Sequence, residues 1–196
     1  ATVTIAVQSD LIFADGFESG SLSAWSSSAT DSGDLSASAA SALEGSYGMR
    51  AVIDNNSAIY VTDDTPSAES RYRARFYFDP NSIVMSNNNA FYLFYGYSGT
   101  STGVLRLELR YYSRSYQVRA ALINDSGTWS ATSYYTLSNA PHALEFDWQR
   151  SSAPGSNNGS LAFWIDGVQR ANLTGIDNDT RQIDQRSPRH RFLRCL

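Results

Sequence analysis

The segment Arg71-Tyr72-Arg73-Ala74-Arg75-Phe76-Tyr77-Phe78 sorts its side chains with a period of two. Tyr72, Ala74, Phe76 and Phe78 share one face of an extended chain, and Arg71, Arg73, Arg75 and Tyr77 share the other. A helix would scatter both sets around its axis, so the stretch predicts a half-buried strand. The same reading extends outward. Residues 104–112 turn Leu105, Leu107, Leu109 and Tyr111 inward and leave Arg106, Glu108, Arg110 and Tyr112 outside. Tyr116, Val118, Ala120 and Leu122 alternate with Gln117 and Arg119, and Leu144, Phe146 and Trp148 alternate with Glu145, Asp147 and Gln149. Residues 90–97 are aromatic on both faces, which predicts cover on both sides. Residues 161–165 and 168–173 meet across Asp166-Gly167, a dipeptide suited to a type I′ hairpin. Shorter strands are predicted over 2–7, 11–17, 47–53 and 57–62. The sum is about ten to twelve strands with short turns, which is an all-β antiparallel sandwich.

Composition supports that class and closes others. The chain has 196 residues, 42% hydrophobic and 13% aromatic, which is ample for one large β domain. No apolar run reaches the roughly 20 residues of a membrane helix. A single cysteine excludes an internal disulfide and a cysteine-based zinc cluster. The net charge of −4 argues against nucleic acid as a partner. Every positive charge is an arginine, and their distribution is uneven. Residues 1–180 hold ten arginines against eighteen carboxylates, giving −8, whereas residues 181–196 hold five against one, giving +4. The reading is a single sandwich domain over 1–180, with 1–10 as an N-terminal strand or extension and 181–196 as an atypical basic tail.

Two groups of motifs carry a family resemblance. The first is Asp15-Gly16-Phe17-Glu18-Ser19-Gly20 with Trp25, followed by Glu44-Gly45-Ser46-Tyr47-Gly48. The second is His142-Ala143-Leu144-Glu145-Phe146-Asp147-Trp148, then Phe163-Trp164-Ile165-Asp166-Gly167. In this order they resemble the concanavalin A-like lectin/glucanase superfamily, including laminin G-like and bacterial carbohydrate-binding modules. The resemblance implies a jelly-roll sandwich. Such folds close with a further apolar strand, whereas here Arg181-Gln182-Ile183-Asp184 turns basic. The end therefore reads either as a truncated or frame-shifted final strand or as a native tail.

The resemblance also directs attention to particular residues. The outward set is read as one polar sheet face, with Arg73, Arg75, Arg106, Glu108, Arg110, Tyr112, Arg119, Glu145 and Asp147 as ligand-binding candidates. Guanidinium forks, carboxylates and tyrosine rings suit sugar hydroxyls and ring faces. Trp129, beside the turn at 125–128, is a candidate stacking platform. Related jelly rolls hold a structural Ca²⁺ near the opening glutamate, which implies Asp15, Glu18 and Glu44 as ligands. Retaining glucanases need a second catalytic glutamate where this chain has Gln149, which cannot donate a proton as an acid. No Gly-x-Ser-x-Gly elbow anchors a hydrolase triad. The expectation is a non-catalytic recognition or adhesion module for a polysaccharide, not an enzyme. The alternatives are a structural subunit that oligomerises through its edge strands and, more remotely, a glucanase-like hydrolase. Abundant Ser, Thr, Asn and Gly, the lack of lysine and a start at Ala1 suit a secreted or surface protein of a bacterium whose leader has been removed.

Overall fold

A computed structural model describes residues 10–99 and 101–184, together with the backbone of residues 194–195. The expected strand at 2–7 and most of the basic tail lie outside the described residues. The strands are β1 (Ser27–Ala29), β2 (Leu35–Ser38), β3 (Gly48–Ala51), β4 (Tyr60–Thr62), β5 (Arg71–Phe78), β6 (Ala90–Ser98), β7 (Thr102–Tyr112), β8 (Ser115–Ile123), β9 (Trp129–Ala131), β10 (Tyr135–Leu137), β11 (His142–Gln149), β12 (Gly159–Ile165), β13 (Val168–Ile176) and β14 (Arg194–Cys195). Residues 11–17 do not form a strand. There Phe17 takes a positive φ of 62°, and its ring and that of Phe13 pack on Trp25.

Two sheets form the sandwich, and every named pairing is antiparallel. The larger runs β10-β8-β7-β6-β14 with β9 also on β8, and the smaller runs β13-β12-β11-β5. The chain is thus an antiparallel β-sandwich of jelly-roll type. Leu105, Leu107, Leu109, Val118 and Leu122 of the larger sheet share one core with Leu144, Phe146, Trp148, Leu161 and Phe163 of the smaller. Phe94 and Phe146 meet across the sheets at 4.7 Å between ring centroids, with Tyr72 beside both. Burial of these rings supplies the main driving force for the fold, at roughly 25 cal/mol per Å² of apolar surface removed from water. Ile183, beyond the predicted domain limit at 180, is fully buried and exchanges two backbone hydrogen bonds with Glu69. Ile183 therefore belongs to the core.

Two irregularities shape the larger sheet. Tyr92 opposes Glu108 and Phe94 opposes Leu107, so Leu93 is an extra residue in β6. This bulge lets both Tyr92 and Tyr95 point to the outer face. On the other side of β7, Ala131 opposes Ala121 and Tyr135 opposes Val118. Residues 132–134 therefore span the same length as residues 119–120, one residue too many. Thr132 holds the break together, its N–H donating to Ala120 O at 2.9 Å and its Oγ1 accepting from Ala120 N at 3.2 Å. A bulge of this kind re-aims a side chain, and here Tyr134 folds back over the sheet. At the far end of the smaller sheet, Asp166 and Gly167 both take positive φ, 54° and 75°, as the Asp-Gly turn predicts.

Candidate functional site

The single polar face expected from the alternation is in fact two faces, and this corrects the sequence reading. Arg71, Arg73, Arg75, Glu145 and Asp147 belong to β5 and β11 of the smaller sheet. Arg106, Glu108, Arg110, Tyr112 and Arg119 belong to β7 and β8 of the larger. The sheets turn their apolar sides to each other, so the two sets look outward on opposite sides of the sandwich.

On the smaller sheet the charges satisfy each other. Arg71 forks onto both oxygens of Asp147, at 2.9 Å from Nε to Oδ1, and Arg73 binds Glu145 through Nε at 2.8 Å and through Nη2. Each pair runs diagonally, because Asp147 lies opposite Arg73 and Glu145 opposite Arg75. Arg75 turns to Tyr77, with a hydrogen bond to its hydroxyl at 3.1 Å. The arginine side chains are 63% and 61% exposed, so these are solvated surface pairs worth about 0.2–1 kcal/mol each.

The larger sheet arranges the same residue types differently. Arg106 lies 4.1 Å above the Trp129 ring and 5.2 Å from that of Tyr92, to whose hydroxyl its Nη1 donates at 3.0 Å. Arg110 lies 3.4 Å from the centroid of Tyr134 and 4.7 Å from that of Tyr112, and its Nε donates to Gln117 at 2.9 Å. Arg119 sits 4.4 Å from the Tyr134 ring and pairs with Glu108 at 3.0 Å. Glu108 is the only carboxylate facing these three guanidinium groups from β7 and β8, and it is 8% exposed. The Tyr134 hydroxyl donates a hydrogen bond to Glu108 Oε1. Tyr95 and Tyr97, stacked at 4.6 Å, extend the aromatic floor beside Trp129. Gly103 makes room for that floor, since a Cβ there would lie 2.4 Å from the Tyr95 ring.

Two electrostatic features stand out. Burial, the hydrogen bond to Glu108 and the Glu108 charge push the Tyr134 phenol up to about 12, against the opposing pull of Arg119 and Arg110. Burial likewise raises Tyr92, with Arg106 opposing. In addition, Arg106 Nε and Arg119 Nε are buried N–H donors with no acceptor in the protein. Buried donors are normally satisfied, so these two leave the polar network of the face incompletely paired.

Of the expected binding residues, the structure therefore brings together Arg106, Glu108, Arg110, Tyr112, Arg119 and Trp129, and separates Arg73, Arg75, Glu145 and Asp147 from them. Trp129 is half-buried in β9 beneath an arginine. Sequence reading missed Tyr92, Tyr95 and Tyr134, whose positions depend on bulges that leave no trace in the alternation.

The expected calcium ligands do not converge. Asp15 accepts from Phe17 N at 2.8 Å and from Trp25 Nε1 at 2.8 Å, and Glu18 accepts from Ser46 N at 3.0 Å and Tyr47 N at 3.3 Å. Among the described residues, carboxylates come together instead at Asp31, Asp34 and Asp54 and at Asp125, Asp177 and Asp179. Partial desolvation, followed by its neighbours Asp125 and Asp177, raises Asp179. Asp125 is already bound by Thr180 and Arg181. No described helix is long and apolar enough to cross a membrane.

No known family profile matches the chain, and no curated protein does. Among solved structures, an endo-β-1,4-glucuronan lyase from the fungus Trichoderma reesei matches with a TM-score of 0.59 and 11% identity, over 89% of this chain and 78% of that one. At that identity the likeness establishes the sandwich fold. It also counts against the expectation of a non-catalytic recognition module that is not an enzyme. Gln149 speaks against paired-carboxylate hydrolysis and the missing serine elbow against one hydrolase triad, but neither bears on elimination, and the neighbour of the same fold is a lyase. Glu145 and Asp147 are bound by arginines on the opposite side of the molecule.

Proposed function

We propose that this chain is a carbohydrate-active enzyme that cleaves an acidic polysaccharide by β-elimination on the outer face of its larger sheet. The observation that carries the reading is the group Arg106, Arg110, Arg119, Glu108 and Tyr134, whose formal charge is +2 on a chain of net charge −4. A locally basic face on an acidic protein concentrates polyanions. The fold shared with a glucuronan lyase supports the same direction, as does the concanavalin-like resemblance of the sandwich.

Elimination from a uronate begins with the proton on C5, beside the carboxylate. Removing it builds negative charge on the carboxyl oxygens, and donors already aimed there stabilise that charge without reorganising. The part-exposed guanidinium groups of Arg106 and Arg119 suit this role. Tyr134 is the proton carrier. Near neutral pH its phenol is protonated, because its pKa stands at about 12, and it donates to Glu108. As Oη takes the C5 proton, the phenol's own proton passes to Glu108. The C4–O bond then breaks, C4 and C5 become doubly bonded, and Tyr134 delivers a proton to the departing oxygen while Glu108 returns the one it held. Tyr92, Tyr95 and Trp129 offer flat surfaces to neighbouring sugar rings.

The test is incubation of the purified chain with glucuronan, alginate and a neutral β-glucan, following the ultraviolet absorbance of unsaturated chain ends. Absorbance should rise with a uronate polymer and stay flat with the neutral glucan. Flat traces with every acidic polymer, or full activity in Tyr134→Phe, would overturn the reading.

A further inference from the structure

A second constellation stands apart from the sheet face, where the β10–β11 loop meets the β12–β13 hairpin. Ser138 Oγ lies 2.9 Å from His142 Nε2, and His142 Nδ1 lies 2.7 Å from Asp166 Oδ2. Serine and histidine stand four residues apart around the short loop 138–141, and Pro141 fixes the backbone just before the histidine. The aspartate arrives from the type I′ turn. Its other oxygen, Oδ1, accepts from Ala143 N at 2.9 Å, so the carboxylate is held at both ends. An acceptor on Nδ1 places the ring proton there and leaves Nε2 free to accept from the serine hydroxyl. Burial alone would raise Asp166, but His142, the Ala143 N–H and Arg170 outweigh it and hold the carboxyl below its ordinary range, keeping it ionised near neutral pH.

The surroundings fix this geometry. Asn139 and Ser82 exchange two hydrogen bonds, Ser82 N to Oδ1 at 2.6 Å and Nδ2 to Ser82 Oγ at 2.8 Å, which clamp the loop to the turn after β5. The histidine side chain is 12% exposed, whereas Ser138 is open to solvent. A nucleophile on the surface, with a base in hydrogen-bond reach and a third group orienting that base, is the arrangement that activates a hydroxyl for acyl transfer.

We propose that Ser138, His142 and Asp166 form a second catalytic centre that hydrolyses small, exposed acyl esters such as an acetyl group on a sugar hydroxyl. Ser138 Oγ attacks the ester carbonyl carbon and its proton moves to His142 Nε2. The alcohol leaves with that proton, and the acyl group remains on Oγ. Water, deprotonated by Nε2, then attacks the acyl carbon, the acid departs, and the proton returns to Ser138. Ester and water become acid and alcohol with no further reactant. The openness of Ser138 favours a short acyl group carried on a large polymer over a ligand that must be enclosed.

The test uses the full chain with p-nitrophenyl acetate and with an O-acetylated neutral polysaccharide, following nitrophenolate and acetate release. In parallel, a fluorophosphonate probe is applied and the modified residue is read by mass spectrometry of the Ser138 peptide. Wild type should hydrolyse both esters and take the label on Ser138. Ser138→Ala should lower turnover by at least about 100-fold and abolish the label. Asp166→Asn keeps a turn dipeptide favoured in type I′ hairpins but removes the charge that orients His142. It should therefore melt like wild type while hydrolysis and labelling rate both fall. Hydrolysis at the level of buffer alone, a label elsewhere than Ser138, or unchanged rates in Ser138→Ala would each overturn the proposal. Neither ester substrate carries a uronate, so the result is independent of whether the sheet face performs elimination.

Discussion

The two outer faces of the sandwich use nearly the same alphabet to different ends. On the smaller sheet, Arg71 and Arg73 each meet a carboxylate in a forked contact, and the pairs lie in solvent. On the larger sheet, three arginines meet aromatic rings and share one nearly buried carboxylate, and two of their N–H groups are left without an acceptor. On the first face two of the three β5 arginines are neutralised and Arg75 meets the Tyr77 hydroxyl, whereas on the second a single carboxylate is shared among the arginines. An arginine on a strand thus forms a solvated ion pair or stacks among aromatic rings according to what stands around it.

Several experiments can break or sharpen that contrast. The largest effect is expected for Tyr134→Phe, which removes the proton carrier and should lower kcat for elimination by about 100-fold or more while the circular dichroism spectrum stays unchanged. Arg119→Ala should lower kcat/KM by roughly 10- to 100-fold, consistent with the loss of a donor to a developing charge, and the effect should deepen as salt is removed. Glu108→Gln leaves Arg119 without its ionic partner at a nearly buried position. A loss of about 1–3 kcal/mol in urea unfolding is expected. The raised Tyr134 pKa has a signed consequence. Below pH 10, the ordinary phenol value, its contribution to stability is fully present, and it is lost as pH rises toward the folded value of about 12. The melting temperature should therefore fall across that window, and less so in Tyr134→Phe. The smallest effect belongs to the other face. Arg71→Gln should cost no more than about 1 kcal/mol and leave elimination rates at wild-type level. A large loss of activity there would mean the two faces are not functionally distinct.

The strand interiors were legible because burial enforces alternation. Phe146, Trp148, Leu107 and Leu109 all face the core as the period of two requires. The Asp166-Gly167 turn was legible because its backbone conformation restricts the residue type. The division of the polar residues between two faces was not, since alternation tells which side of a strand a residue occupies but not which sheet the strand joins. Tyr134 was hidden for a different reason. Its place over Glu108 depends on one extra residue at 132–134, and a bulge is a property of pairing between strands. The same holds for Ser138 and His142: a strand-to-helix serine elbow is a local signature, whereas the fold assembles this group from a loop and a distant hairpin.

Gly103 carries no functional group, yet it governs the depth of the aromatic floor. Any side chain there would meet the Tyr95 ring, displacing it toward Tyr97 and Trp129. In a saturation scan of the whole chain, position 103 should therefore behave like part of the chemistry, intolerant of even alanine. The shape of this face is set there by an absence of atoms, a determinant that no inventory of polar residues would find.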